Sequence, residues 1–230
     1  GDSTSLSIAA DHGSANDTTT TIKDTIIPTI SINALANIVI ANETSFPVTG
    51  TCSENGENIN ISIGSASAIG MCSAGSYSIN IDTSLVADAT SISVLADHQD
   101  SAGNNAIQAS NSTNKDTTAP TVTITYSPNI TGANEAAYSI SGSCSENTQT
   151  VNVDINGLGF TPNCSSGSWS VGPTDVSSRA DSATLPITAD TTDAAGNNAS
   201  QASTTVDKTT TVPTVAITNP PDISQANLTS

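Results

Sequence analysis

Four cysteines recur at one fixed interval, and that interval constrains the fold more than any other feature of the chain. Cys52 and Cys72 lie 20 positions apart, as do Cys144 and Cys164, and each member of the first pair returns 92 positions later. Pro28 and Pro120 keep the same beat, and Pro213 follows one position late. A period this long exceeds a solenoid unit and suits one small all-β domain. It predicts two complete units, 25–116 and 117–208, flanked by 1–24 as the C-terminal part of a repeat and 209–230 as the N-terminal part of a further one. Leu6-Ser7-Ile8-Ala9-Ala10-Asp11-His12 parallels Ile92-Ser93-Val94-Leu95-Ala96-Asp97-His98. Val215-Ala216-Ile217 and Ala226-Asn227 parallel Val122-Thr123-Ile124 and Ala133-Asn134. The expectation is a piece of a longer array.

Within a unit the apolar residues alternate with Ser, Thr, Asn and Gly, the period of short strands with one buried face. Ile30 and Ile32 predict a first strand, A. Phe46 and Val48 mark B, and Ile59, Ile61 and Ile63 mark C. Tyr77, Ile79 and Ile81 follow the second cysteine. Ile92, Val94 and Ala96 make F, and G runs through about 106–115. The second unit repeats the set with Val122 and Ile124, Tyr138 and Ile140, Val151, Val153 and Ile155, Trp169 and Val171, and Leu185, Ile187 and Ala189. No stretch has a helical period. About seven strands in one period predict tandem immunoglobulin-like β-sandwiches.

Cys52 shares the inward parity of Phe46 and Val48, and a hairpin excursion returns Cys72 beside it. The regular C-x19-C spacing, without close cysteine pairs or histidine partners, predicts one disulfide per unit, Cys52–Cys72 and Cys144–Cys164, in place of zinc. Disulfides place the chain in an oxidising compartment. Only 3% of residues are aromatic, so such a staple is needed. Tyr77 and Trp169 are expected to anchor the core.

Four basic residues against 21 acidic ones give a formal charge of −17, which excludes nucleic acid and anionic membrane surfaces as partners. No apolar run approaches the length that crosses a bilayer, so direct membrane insertion is not expected. Two sources of the acidity remain, solubility and multivalent cations.

Four motifs stand in fixed order, and three of them return in the second unit. Gly50-Thr51-Cys52-Ser53-Glu54-Asn55, Gly75-Ser76-Tyr77-Ser78, Asp100-Ser101-Ala102-Gly103-Asn104 and Asp116-Thr117-Thr118-Ala119-Pro120-Thr121 are matched by Gly142-Ser143-Cys144-Ser145-Glu146-Asn147, Gly167-Ser168-Trp169-Ser170 and Asp193-Ala194-Ala195-Gly196-Asn197. Together they resemble the bacterial Ig-like repeats of large extracellular surface adhesins of the RTX and BapA-like kind. The resemblance implies a cell-surface stalk whose partners are neighbouring Ig-like repeats, stiffened by calcium between domains. Two places depart from it: the last linker puts Asp207 six residues before Pro213, and the first fragment lacks the Ala-Gly-Asn turn.

The predicted topology itself gathers the B–C loop, the F–G loop and the linker entering strand A at one pole. Their oxygens make a candidate Ca2+ set: Asp24, Glu54, Asp97, Asp100 and Asn104 for the first unit, and Asp116, Glu146, Asp190, Asp193 and Asn197 for the second. Clustered carboxylates repel unless a cation neutralises them, and calcium accepts irregular oxygen shells. The alternative makes these residues solvated turns.

Chemistry beyond this is sparse. His98 is read as a surface loop residue, since its equivalent is Thr191, and no nucleophile, phosphate-loop or hydrolase motif occurs. The expected function is a structural, non-enzymatic extender. The alternatives are a fibre subunit completed by strand exchange between chains and a ligand-binding module using Trp169.

Overall fold

The computed structural model describes residues 4–12, 15–216 and 218. Its chain forms two compact units. The first contains the described residues up to Ala119 together with Thr192–Asn198, and the second contains Pro120–Thr191 with the described residues from Ala199 onward. The expected parallel at Ala226-Asn227 and Ile217 lies outside the described residues.

The first unit opens with a hairpin of β1 (Thr4–His12) and β2 (Ala15–Lys23). Its sandwich uses β3 (Phe46–Thr51), β4 (Asn58–Ile63), β5 (Ala66–Met71), β6 (Ser76–Ile81), β7 (Ala89–His98) and β8 (Ala109–Lys115). One sheet pairs β3 with β6, and the other runs β5-β4-β7-β8. Alternate side chains of both sheets meet in one core: Phe46 and Val48 from β3, Ile59, Ile61 and Ile63 from β4, Ile79 and Ile81 from β6, and Val94 and Ala96 from β7. Period-two patterning thus sets the register, because a slip by one residue would turn each of these rows to solvent.

The second unit repeats the plan with β9 (Ile130–Thr131), β10 (Tyr138–Ser143), β11 (Val151–Ile155), β12 (Leu158–Phe160), β13 (Ser168–Thr174), β14 (Ser182–Thr191) and β15 (Ala202–Thr209). Here β10 pairs with β13, and the larger sheet runs β12-β11-β14-β15-β9. Both units are all-β Ig-like sandwiches.

The segment expected as strand A is not a continuous strand. Ile30 only bridges Cys52, and Ser31 and Asn33 donate to the carbonyls of Thr51 and Thr49 at 3.0 and 2.9 Å. The chain then changes sheets, and Ile38 bridges Lys115 in parallel. One segment serving both sheets cannot keep one ladder.

Both disulfides form as the spacing predicts, with Cα–Cα separations of 5.9 and 6.0 Å. Cys52 follows β3 of one sheet and Cys72 follows β5 of the other, so each bond staples the two sheets. The aromatic anchors sit beside them. Tyr77 OH donates to Ser31 O at 2.8 Å, and Trp169 Nε1 to Thr123 O at 3.0 Å, so both rings also hold the entering segment. Their flat faces lie against Gly50 and Gly142, where an added Cβ would collide with Ser31 O or Thr123 O and with the ring itself.

Gly142→Ala should therefore lower unfolding free energy by about 2 kcal/mol or more through overpacking. Gly159→Ala, with open space at its Cβ, should change little. Reducing both disulfides should cost each unit about 3 kcal/mol on the loop-entropy estimate. Denaturant midpoints of the oxidised and reduced proteins check all three.

Candidate functional site

The three segments expected at one pole do meet in the first unit. The β7–β8 loop touches the linker, because Asn104 Nδ2 donates to Asp24 O at 3.2 Å. The β3–β4 loop touches the end of β7, because Glu54 N donates to His98 Nε2 at 3.3 Å. Ser53 Oγ accepts the N–H of Thr29 at 2.9 Å, a second tie between that loop and the entering chain. In the second unit Ser145 Oγ accepts from Thr121 N at the same 2.9 Å.

Asp100 and Asp193 do not face open solution as ligands in waiting. Asp100 Oδ1 accepts from the backbone of Ala102 at 3.0 Å and of Asn104 at 2.7 Å, and Oδ2 accepts Asn104 Nδ2 at 2.9 Å. Asp193 Oδ1 accepts from Ala195, Gly196 and Asn197 at 2.9, 2.8 and 2.8 Å, and Oδ2 accepts Asn197 Nδ2 at 2.9 Å. Donation from Asn104, first by its side-chain amide and then by the turn's backbone, holds the Asp100 carboxyl below its ordinary range. At Asp193 burial opposes the charge, but the Asn197 amide and three backbone N–H groups outweigh it, and its carboxyl is lowered too. Gly103 and Gly196, at φ of 94° and 105°, supply the left-handed step each turn needs.

Asn197 repeats the Asn104 contacts: its Nδ2 donates to Asp116 O at 3.0 Å. Its Oδ1 also accepts Ile40 N at 2.9 Å, and the side chain is 3% exposed. All of these residues belong to the first compact unit.

The other predicted ligands are placed differently. Asp97 points outward from β7 and accepts both bonds of the Gln108 amide, at 2.9 and 3.1 Å. Asp190 accepts from Asn152 at 3.1 Å and Gln201 at 3.3 Å. Asp24 and Asp116 each accept a local backbone N–H, from Ile26 and Thr118, at 3.1 Å. Glu146 accepts from Ser145 Oγ at 3.2 Å. Among the described residues no three Asp, Glu, His or Cys side chains come close enough to hold a metal ion. Hard oxygen donors of the right chemistry are present, but those least committed to hydrogen bonds are Asp24, Glu54, Asp116 and Glu146.

His98 is not a surface residue. It is 2% exposed, its Nδ1 hydrogen bonds to Asn58 O at 3.0 Å, and its Nε2 accepts from Glu54 N at 3.3 Å. Thr191, also buried, donates to the equivalent Thr150 O at 2.8 Å. Trp169 is 2% exposed, so its ring is no stacking platform.

Two functional positions escaped the sequence reading. Lys115 and Lys208, at the C-terminal ends of β8 and β15, are buried. Lys115 Nζ reaches Glu43 at 3.1 Å and Asp88 at 3.3 Å; Lys208 Nζ reaches Glu135 at 2.7 Å and Val176 O at 3.1 Å. Asp88 and Asp181 in turn accept the N–H of Thr117 and Thr210, fixing the chain as it leaves the sheet. The signal was available: of four basic residues, three, Lys23, Lys115 and Lys208, stand five residues before Pro28, Pro120 and Pro213.

No family model matches the chain, and no curated protein matches it. The chain is similar to several solved structures. One is a Ca2+-stabilized adhesin with which an Antarctic bacterium reaches out and binds ice, at 22% identity over 87% of this chain and 55% of that one, TM-score 0.48. Another is a tetra-tandem repeat from the extending region of a large adhesion protein, at 22% identity over 86% and 55%, TM-score 0.36. The fibronectin(III)-like modules of Clostridium thermocellum CbhA match at 13% identity over 78% and 95%, TM-score 0.45. This chain spans about half the length of the first two.

The lowered carboxyls have a signed consequence. A depressed folded value stabilises fully above the unfolded value near pH 4 and is lost as pH falls through the folded one. The oxidised protein should therefore lose melting temperature steeply below about pH 4, and Asp193→Asn should flatten that limb. Separately, Lys208→Met should cost about 2 kcal/mol, less than the ~3–5 of a fully buried pair, because Glu135 keeps partial access to water. Chemical denaturation of the two proteins measures it.

Proposed function

We propose that this chain is an extender segment of a bacterial cell-surface adhesin or stalk, lying outside the cell and performing no catalysis. One observation carries the reading: two copies of one disulfide-stapled sandwich make the same loop-to-linker attachments at Asp24 and Asp116. Such repetition adds length, and each linker is tied to a loop by a side-chain amide. The disulfides support an oxidising exterior. The strong acidity supports a surface that does not adhere to polyanions. Its partners in this reading are neighbouring Ig-like repeats of the same longer chain.

Calcium belongs to the same proposal. The carboxylates that the turns leave least committed in the first unit, Asp24 and Glu54, would supply the protein's share of the shell, with waters and carbonyls completing it. What calcium supplies is charge neutralisation at an acidic pole.

A second reading keeps one specific observation. Leu6 and Ile8 on β1 are 48% and 56% exposed, whereas their equivalents Ile92 and Val94 are buried. A strand donated by another copy would cover them, giving a fibre.

Thermal unfolding in millimolar calcium, in magnesium and in excess EDTA tests the metal. A rise of several degrees specific to calcium, reduced in Asp24→Ala/Glu54→Ala, is expected from binding linkage. Identical melts would remove calcium from the reading. Light scattering across a concentration series tests the rest: a constant monomer mass supports the extender, and concentration-dependent growth supports the fibre.

A further inference from the structure

We infer that the Asp-x-Ala-Gly-Asn loop is a metal-independent latch, in which the side-chain amides of Asn104 and Asn197 hold the linker carbonyls of Asp24 and Asp116. Asp100 and Asp193 orient those amides and are not cation ligands. This holds whether or not the chain is an adhesin extender.

The lone pairs of the turn are already occupied. An ionised carboxylate offers about four acceptor positions, and Asp193 fills them with four N–H donors. Those donors surround the carboxylate with positive dipole ends, the arrangement that favours an anion and repels a cation. Asparagine ligates calcium through its carbonyl oxygen, yet Asn197 Oδ1 already takes the N–H of Ile40. Its two amide hydrogens go to Asp193 Oδ2 and Asp116 O. Every polar atom of that side chain is therefore matched within a site that excludes water, and one amide joins three pieces of backbone: its own loop, the linker, and the turn after Val39.

Asn104 makes the same ties to Asp100 and to Asp24 O. Its Oδ1 receives no donor from the described residues, and the side chain is correspondingly less buried than Asn197. Of the two latches, Asn197 is the fuller. The local dielectric is lower there, so its bonds to an ionised acceptor count for more.

The latch and a metal site respond in opposite directions to one substitution. Asn104→Asp or Asn197→Asp replaces the donating Nδ2 with a second carboxylate facing Asp100 or Asp193. A latch loses its donor and gains like-charge repulsion at any calcium concentration. A metal site gains a ligand and binds calcium more tightly.

Amide hydrogen exchange of the full oxidised chain, in millimolar calcium and in excess EDTA, reads this out at residues 100–104 and 193–197. The expected result is wild-type protection that EDTA leaves unchanged, and roughly tenfold faster exchange in each Asn→Asp variant in both solutions, as one charge-assisted hydrogen bond is lost. The inference is overturned if EDTA alone accelerates exchange of these wild-type loops, or if Asn197→Asp protects its loop further when calcium is present. The wild-type arm requires no variant to fold. A calcium-specific melting shift arising at Asp24 and Glu54, with loop protection unchanged, would leave the latch standing.

Discussion

The bond that staples β3 to the end of β5 governs the rest of each unit. With so few aromatic residues, each core is firmer when its two sheets are held at one end, and Cys52–Cys72 does this where β5 hands over to β6. Once the sheets are fixed there, neighbouring backbone falls into place. Cys52 N reaches Gly75 O, Gly75 N reaches Asn55 Oδ1, and Ser53 Oγ takes the linker at Thr29. Cys144, Gly167, Asn147 and Ser145 repeat the set. What reads as a loop motif is a hydrogen-bonded collar around the disulfide.

From that collar the pole follows. The β3–β4 loop is held against His98 or, in the second unit, its strand is capped by Thr191; the β7–β8 loop is tightened by Asp100 around Asn104. Polar side chains at this end carry out work that apolar packing does elsewhere, because the sandwich ends expose strand termini whose N–H and C=O groups need partners. Short polar residues with local reach, Asp, Asn, Ser and Thr, supply them, which accounts for a composition poor in hydrophobic bulk and rich in these four types.

Much of this was legible in the sequence. Parity placed Phe46, Val48, Cys52, Ile59 and their equivalents in the core, and the repeat doubled every inference. The pole was legible too, since strand alternation alone decides which loops share an end. The chemistry at the pole was not. Asp193 carries the same letter whether it binds a cation or four N–H groups, and only the turn's φ values and the position of Asn197 separate the two. His98 misled because its equivalent is Thr191: two unlike side chains satisfy one carbonyl, so variability did not signal exposure. Strand A failed because period-two alternation does not reveal a segment that changes partners midway.

The buried lysines reach beyond stability. Of four basic side chains, Lys115 and Lys208 are enclosed and Arg179 is partly covered with its Nη1 on Asn156 O, which leaves Lys23 exposed before the first sandwich. A trypsin-like protease needs an accessible Lys or Arg in a chain that can extend into its cleft. Along both folded units it finds almost nothing to cut, and reagents that target surface amines find little to label. By folding its cations inward, the chain presents a surface nearly blank to a large class of secreted proteases.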